Sequence, residues 1–283
     1  GTGNPAPFPP PAPPQPGTGN PAPFPPHPKD AELISRLPPN ILAPRKFQYD
    51  AARYDFHTSI KNIICDDDSP LASLHTSPSG MGHTGQNISG HSGRTCFSKR
   101  WRSRTDSSSK LFRRTLGLFV KEVLTPLLGL SSGDLVVYQR SPTLRVHFHG
   151  QKALGSRHRD YGYKRQPTEI NCWLPLTPTL PSNALWSESA PGKGDFSPFV
   201  SSGVGEFYLF HGSQLEHYTV PNNSGLTRVS IDFRVIRGDC YIENYVAPYA
   251  LDDIPRFVRG RGRAYTDTEE EELWRSNQVK GDG

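Results

Sequence analysis

The sequence predicts a mainly β protein with flanking helices, folded as a jelly roll, from three observations. Residues 134–236 contain five short segments that are rich in β-branched and aromatic residues and are separated by turns. A single strongly amphipathic stretch of helical period precedes them. Strands and helices do not alternate along the chain as a parallel α/β sheet would require, so short antiparallel strands in a sandwich or jelly roll are expected.

The N-terminal residues 1–29 are predicted to form a disordered, proline-rich tail. Thirteen of the 29 prolines fall in residues 1–28, and the decapeptide GTGNPAPFPP occurs at 1–10 and again at 17–26. Such a segment has too little apolar surface to offset the entropy of ordering, and it favours the polyproline II conformation. It is interpreted as a spacer, with a ligand for a polyproline-binding groove as the alternative.

Residues 30–133 are predicted to form a helical region that contains a long loop rich in Ser, Gly and His at 66–109. Loops of that length are often lids or binding loops. The basic run that follows, around Trp101, is interpreted as a solvated loop leading into a helix rather than as a nucleic-acid contact, with Asp106 as its N-cap. The helix itself is predicted from an apolar stripe that ends near Pro126 and Gly129 and comprises Phe112, Leu116, Phe119, Val120, Val123 and Leu127.

The predicted catalytic core spans residues 134–245, and its strands are expected at 134–140, 143–149, 168–176, 206–212 and 226–236. In the last segment an apolar set (Val229, Ile231, Phe233, Val235) alternates with a polar set (Arg228, Ser230, Asp232, Arg234). Because successive side chains of a strand point to opposite faces, this predicts a sheet with one packed face and one functional face. Residues 246–283 are treated as a C-terminal extension.

Composition excludes several classes of protein. The formal net charge of +5 is mild for a dedicated nucleic-acid binder, so nucleic acid is an unlikely partner. No apolar window reaches the length of a membrane-spanning helix, and no signal-peptide pattern is visible, which leaves the compartment open. The four cysteines are 31, 76 and 68 residues apart with no CxxC pair, so neither a zinc knuckle nor a disulfide scaffold is expected.

Candidate metal ligands occur as His158-Arg159-Asp160, followed by His217. Two imidazoles and one carboxylate on one face of a metal leave three coordination positions open, as in non-heme Fe(II) oxygenases. Eleven residues after His217 comes Arg228, with Ser230 on the same strand face. A guanidinium binds a carboxylate with two parallel hydrogen bonds, and the hydroxyl adds a further donor, so this pair suits the far carboxylate of 2-oxoglutarate.

Taken together, these motifs resemble the Fe(II)/2-oxoglutarate-dependent dioxygenase superfamily with its double-stranded β-helix. The run RVHFHG, HRDYGY, EINCWLPLT, NALWSES, GEFYLFHG and SGLTRVSIDFRVI is most similar to hydroxylases associated with streptomycin-type aminoglycoside biosynthesis. The resemblance covers roughly residues 134–237. It implies Fe(II) on His158, Asp160 and His217, with 2-oxoglutarate held by Arg228 and Ser230.

The implied reaction uses O₂ and 2-oxoglutarate as cosubstrates and hydroxylates an unidentified small molecule or peptide, with release of succinate and CO₂. Asn171 is a further candidate for binding the cosubstrate. Candidate substrate contacts are Trp173, Trp186, Arg145, Arg157 and Tyr161, and Arg145 is also a possible second carboxylate partner. Arg157, Arg159, Lys164 and Arg165 lie around the triad. They form either a positive rim that would attract an anion or a solvated edge.

Four alternatives stay open at this point, two for the metal ligands and two for the function. His147 and His149 form a cupin-like HxH pair, although the expected glutamate is missing and Ala153 and Leu154 stand there instead. His211 is an alternative distal ligand or a supporting group. The chain is otherwise a jelly-roll or cupin-like binding protein that acts through its proline-rich tail, or a metal-dependent isomerase or lyase of cupin type.

Overall fold

The computed structural model describes residues 28–65, 67–77, 101, 107–139, 141–163, 165–243 and 245. Most of the predicted tail (1–29), most of the predicted loop (66–109) and the C-terminal extension (246–283) lie outside the described residues, as do Asp106 and Lys164. The predictions made for those segments therefore remain predictions.

The helices of the described part precede the main run of strands. They are α1 (Pro28–Ser35), α2 (Phe56–Ile64) and α3 (Ser107–Phe119), and short 3₁₀ turns lie at Pro39–Ile41, Leu71–Thr76, Asp160–Tyr163 and Gly238–Cys240. Asp55 is the N-cap of helix α2, and its carboxylate accepts a hydrogen bond of 2.9 Å from the backbone N–H of Thr58. This contact satisfies one of the N–H groups that a helix start leaves without a partner.

Helix α3 matches the amphipathic helix predicted from the sequence. Phe112, Leu116 and Phe119 are buried along its inner stripe. The helix continues as a π-helical turn (Val120–Leu124) and one final α-turn (Thr125–Leu127). It ends before Gly129, whose φ of +69° lies in the left-handed region that favours glycine. The prediction of a core-packing helix that closes near Pro126 and Gly129 is confirmed.

The strands form two antiparallel sheets. The strands are β1 (Arg45–Gln48), β2 (Val136–Tyr138), β3 (Thr143–His147), β4 (Ile170–Pro175), β5 (Leu185–Ser187), β6 (Ser197–Pro198), β7 (Glu206–Phe210), β8 (His217–Thr219) and β9 (Arg228–Arg237). The larger sheet has the order β1-β7-β4-β9-β2, with β3 also paired to β9, and the smaller sheet has the order β6-β5-β8. Sequence analysis predicted neither β1 nor the short strands β6 and β8.

The larger sheet packs one face against the helices and turns the other face toward the smaller sheet. Val229, Ile231, Phe233 and Val235 of β9 share the main hydrophobic cluster with Phe112, Leu116 and Phe119 of α3. A second cluster connects the two sheets and consists of Trp173, Leu185, Phe199, Tyr208, Phe210 and Leu215. The alternating pattern of β9 therefore divides a packed face from an inner polar face, as predicted.

The predicted fold class, a mainly β jelly roll with flanking helices, is confirmed. Both sheets are antiparallel throughout, and the chain crosses between them repeatedly as it runs from β4 to β9. No helix in the described part of the chain combines the length and apolarity that crossing a bilayer requires.

Candidate metal centre

The structure brings the three predicted metal ligands together at one end of the smaller sheet. His158 and His217 form an isolated antiparallel bridge, with backbone N···O distances of 3.1 and 2.9 Å. Asp160 begins the 3₁₀ turn at 160–163, and its backbone N–H donates to the carbonyl of Gly212 at 2.9 Å. One candidate ligand atom from each residue lies within 4.8 Å of the others, so the three converge on one point.

Hydrogen bonds fix which atoms face that point. The Nδ1 of His158 lies 2.6 Å from the carbonyl of Ser156, and the Nδ1 of His217 lies 2.9 Å from the carbonyl of Leu215. Because carbonyls only accept, each Nδ1 carries the proton and donates it, which leaves the Nε2 lone pairs free. These Nε2 atoms lie 3.6 and 3.7 Å from Oδ1 of Asp160.

The second carboxylate oxygen of Asp160 is fully occupied by donors. Its Oδ2 accepts from Asn171 Nδ2 at 2.8 Å and from Arg234 Nη2 and Nε at 2.9 and 3.2 Å. Burial alone would raise the pKa of Asp160, but Arg234 and the two histidines outweigh it and hold that pKa well below its usual range. Asp160 is therefore ionised and offers one oxygen, Oδ1, to a metal.

Burial and the neighbouring His158 lower the pKa of His217 to about 4, so its imidazole is neutral near pH 7. Two imidazole nitrogens and one carboxylate oxygen, with three positions left open, are the donor set that suits Fe(II). The residues present fit the metal that the sequence implied, and the hydrogen bonds behind them fix the orientation that such a site needs.

The position of Asn171 differs from its predicted role. We expected its amide to bind the carboxylate of a cosubstrate, but its nitrogen is committed to Asp160, and its Oδ1 is buried without a hydrogen-bond partner. The cause is the register of β4: Asn171 lies opposite Arg234 of β9, so both side chains reach Asp160. Asn171 orients a candidate metal ligand.

An ion-pair chain continues from the candidate metal centre across the inner face of β9. Arg234 Nη1 contacts Asp232 Oδ1 at 3.1 Å, and Asp232 Oδ2 accepts from Arg145 Nε at 3.0 Å. Arg145 was expected to bind a substrate or a second carboxylate. Its Nε is instead tied to Asp232, while its side chain is still 34% exposed. Sequence reasoning missed Arg234 as a site residue, although its position six residues after Arg228 places both on one face of the strand.

Arg228 and Ser230 form a separate polar pocket farther along the same face. Arg228 is 1% exposed, and both its Nε and the Oγ of Ser230 are buried without a hydrogen-bond partner. Burial, together with the charge of Arg145, lowers the pKa of Arg228 to about 9, so the guanidinium stays protonated at neutral pH. A buried guanidinium N–H and a buried hydroxyl without hydrogen-bond partners are costly in an isolated protein, and a cationic pocket of this kind fits the carboxylate of a ligand.

The remaining histidines do not join the three candidate ligands. His147 Nε2 bonds to the carbonyl of Lys152 at 2.9 Å, and His149 Nδ1 accepts from the backbone N–H of Gly225 at 3.1 Å. The Nε2 of His211 bonds to the carbonyl of Pro167. The cupin-like HxH pair is therefore not the metal cluster found among the described residues, and His211 does not replace His217 in it.

The candidate substrate residues lie in different environments. Trp173 shares the inner face with Asn171, but it is buried in the cluster between the two sheets. Tyr161 Oη donates to Asp30 Oδ2 at 3.4 Å, and Arg157 forms an ion pair with Glu216. The first contact connects Tyr161 to helix α1. Arg157 is paired with Glu216, while its side chain is still 35% exposed.

Trp186 requires a correction. In the pairing of β5 with β8, Ser187 lies opposite His217 and Trp186 lies opposite Tyr218. Neighbouring side chains alternate in direction along a strand, so Trp186 points to the face opposite the one that carries His217. There it stacks on Tyr218, with ring centroids 6.3 Å apart, and it is not a wall of this site.

Comparison with known proteins identifies a relative by sequence. The chain is 33% identical over 161 residues to the streptomycin biosynthesis protein StrG of Streptomyces griseus, a match that covers 53% of this chain and 76% of StrG. No protein-family model matches the sequence.

Similar solved structures share little sequence with the chain. EctD from S. alaskensis with 2-oxoglutarate and 5-hydroxyectoine has a TM-score of 0.47 at 14% identity, with 87% of each chain covered. The nickel complex of the non-heme monooxygenase ThoJ has a TM-score of 0.37 at 13% identity, covering 88% of this chain and 96% of ThoJ. A Pseudomonas putida prolyl-4-hydroxylase has a TM-score of 0.36 at 14% identity, covering 77% and 95%.

The extent of the StrG match confirms the relationship that the sequence motifs indicated. The chain belongs to the family of the streptomycin biosynthesis protein StrG.

Proposed function

We propose that this protein is an Fe(II)/2-oxoglutarate-dependent hydroxylase. The observation that carries the proposal is the convergence of His158 Nε2, His217 Nε2 and Asp160 Oδ1, each oriented by a hydrogen bond on its other side. Arg228 Nε and Ser230 Oγ, which are buried without hydrogen-bond partners on the inner face of the larger sheet, support it further. A cupin-type isomerase or lyase would bind a metal but would turn over without forming succinate.

In this proposal the protein positions reactants and provides no acid or base. Bound Fe(II) supplies the chemistry that couples O₂ and 2-oxoglutarate to substrate hydroxylation, with succinate and CO₂ as coproducts. His158, Asp160 and His217 would hold the metal. Arg228 and Ser230 hold the far carboxylate of 2-oxoglutarate. The buried inner face of the jelly roll excludes bulk water from this carboxylate.

Metal binding tests the first half of the proposal. Fe(II) is titrated under nitrogen into the wild-type protein and into Asp160→Ala, with Asp195→Ala as the matched control, because Asp195 is an exposed aspartate paired with Lys193. Asp160→Ala should lose tight Fe(II) binding, since it loses one of three ligands, whereas Asp195→Ala should bind as the wild type does. Equal affinity in all three proteins would overturn the metal assignment.

Cosubstrate binding tests the second half. The iron-loaded protein is titrated with 2-oxoglutarate under nitrogen while the visible metal-to-ligand charge-transfer band is followed. Arg228→Ala removes a charged, two-pronged donor, so 2-oxoglutarate affinity should fall roughly tenfold to a thousandfold with little change in Fe(II) affinity. Ser230→Ala should show a smaller loss of the same kind. If Arg228→Ala bound 2-oxoglutarate with wild-type affinity, another residue would have to bind its far carboxylate. Arg145 would be tested first.

The substrate class follows from a turnover screen. StrG is named for streptomycin biosynthesis, so a panel would begin with aminoglycoside building blocks and continue with amino acids and proline-containing peptides. Stimulated release of succinate identifies the class, and mass spectrometry shows whether the product has gained one oxygen atom. The proposal would be contradicted if no compound stimulated succinate release and the iron-loaded protein also failed to bind 2-oxoglutarate.

A further inference from the structure

Three buried polar atoms without hydrogen-bond partners lie on one face of the β3–β9 pair. They are Arg228 Nε, Ser230 Oγ and His147 Nδ1. Arg228 and Ser230 belong to the proposed cosubstrate pocket, but the proposed reaction gives no role to His147. A buried polar group without a partner costs free energy, so each such atom in a native fold calls for an explanation.

The register places His147 directly opposite Arg228. In the antiparallel pairing of β3 with β9, His147 faces Arg228 and Arg145 faces Ser230. Directly opposed residues put their side chains on the same face, with Cβ atoms about 4.5–5.5 Å apart. Both side chains are almost completely buried, at 0% and 1% exposure. The imidazole and the guanidinium are therefore neighbours in an environment that excludes water.

The surroundings of His147 leave it with a single free acceptor. Its Nε2 lies 2.9 Å from the carbonyl of Lys152, so Nε2 carries the proton and donates it. The backbone of the residue is held in place because its carbonyl accepts from Asn222 Nδ2 at 2.7 Å. Burial, together with the charge of Arg228, lowers the pKa of His147 to about 3, so the ring stays neutral near pH 7. Its Nδ1 is then an acceptor with an unused lone pair.

Arg228 Nε lacks a hydrogen-bond acceptor, just as His147 Nδ1 lacks a donor. Among the described residues no carboxylate forms an ion pair with its guanidinium, and its Nε–H is buried without an acceptor. A guanidinium that binds a carboxylate through both terminal nitrogens still has its Nε–H to place. A neutral acceptor beside Nε satisfies that donor without competing, as an acidic residue would, for the positive charge.

We propose that His147 is a positioning residue for Arg228, whose Nε–H donates to His147 Nδ1 when 2-oxoglutarate is bound. This contact directs the two terminal nitrogens of Arg228 toward the far carboxylate of 2-oxoglutarate. The inference rests on the proposed function and assigns a role to a histidine that belongs to neither the metal cluster nor the carboxylate donors.

A matched pair of substitutions tests the acceptor. His147→Phe keeps the ring but has no acceptor, whereas His147→Asn places an amide oxygen near the position of Nδ1. Under nitrogen, the Fe(II) proteins are titrated with 2-oxoglutarate, and Fe(II) affinity and thermal unfolding are measured in parallel. His147→Phe should weaken 2-oxoglutarate binding by about tenfold to a hundredfold, and His147→Asn should recover most of that loss. Fe(II) affinity should stay the same in both.

A double-mutant cycle with Arg228→Lys separates positioning from a structural role. Lysine keeps the charge of Arg228 but has no Nε–H, so His147→Phe should cause little further loss of 2-oxoglutarate affinity in that background. Equal losses in the wild-type and Arg228→Lys backgrounds would show that His147 acts on the fold alone and would overturn the inference. So would wild-type affinity in His147→Phe. If the wild-type protein itself binds no 2-oxoglutarate, the proposed function fails first.

Discussion

At the scale of single residues, the candidate metal centre depends on the different partners of the two carboxylate oxygens of Asp160. Oδ2 accepts three hydrogen bonds from Asn171 and Arg234, and Oδ1 faces the two histidines. These hydrogen bonds therefore leave Oδ1 as the oxygen that is available to a metal. Partners of this kind, behind the ligands themselves, commonly change metal affinity by a factor of 10–100 when they are removed.

Arg234→Gln tests this division of the carboxylate. The substitution removes two charge-assisted donors from Oδ2 and frees the Asp160 side chain to rotate, so Fe(II) affinity should fall by about 10–100-fold. The measurement is anaerobic Fe(II) competition against a chelating dye. Arg53→Gln is the control, because Arg53 is an exposed arginine whose carboxylate partner, Glu122, belongs to another part of the fold. Equal affinity of the Arg234→Gln and wild-type proteins would contradict the role assigned to Arg234.

At the scale of elements, the turn after β7 supports the centre through a residue with no side chain. Gly212 accepts the backbone N–H of Asp160 at 2.9 Å, and it packs directly against the amide of Asn171. A Cβ at this position would lie 2.6 Å from Asn171 Oδ1, which is closer than real Cβ contacts allow. Glycine at position 212 therefore leaves room for the Asn171 side chain at the place where it reaches Asp160.

Gly212→Ala should disturb the centre without touching a ligand. The added methyl group must displace Asn171 from Asp160, so Fe(II) affinity should fall roughly tenfold, and overpacking should lower the free energy of unfolding by about 1–3 kcal/mol. Fe(II) titration and urea unfolding measure the two effects. Gly162→Ala is the control, because no heavy atom lies within 4 Å of a Cβ placed there. Similar results for the two variants would rule out the close approach as the cause.

At the scale of the whole molecule, buried histidines couple stability to pH. Burial lowers the pKa of His147 to about 3 and that of His211 to about 4. In the unfolded chain both titrate near 6.5, so between pH 6.5 and 4 the unfolded state binds more protons than the native state. Stability must therefore fall as the solution is acidified through that range.

The metal-free protein should be less stable at pH 5 than at pH 7.5. Each of these two histidines should lower the free energy of unfolding by about 2 kcal/mol at pH 5, because that pH lies about 1.5 units below the pKa of the unfolded state. Urea unfolding at the two pH values, in the presence of a chelator, measures the change. In His211→Gln, the difference in the free energy of unfolding between the two pH values should be smaller by the contribution of one histidine. A free energy of unfolding that is constant over this range would contradict the buried, neutral state of these rings.

The sequence by itself determined the features that depend on neighbours along the chain. The alternation of Arg228, Ser230, Asp232 and Arg234 with apolar residues defined the two faces of β9, and the stripe through Phe112 and Phe119 defined α3. The short motifs around His158 and Asp160 and around Arg228 and Ser230, through their resemblance to a known family, indicated the candidate metal centre and the arginine that would bind a carboxylate. Periodicity and motif spacing are local properties, and local properties can be read from a single sequence.

Only the tertiary structure decided which side chains meet across strands. Asp160 and Arg234 are 74 residues apart, and their contact depends on the register of β4 against β9. Strand β1 reaches the edge of the larger sheet from the helical region, and no local pattern marks its partner, β7. The direction of Trp186 was also undetermined, because Leu185-Trp186-Ser187 is too short to show which face is buried. A shift of one residue in register turns every side chain to the other face, and that choice is made by packing rather than by composition.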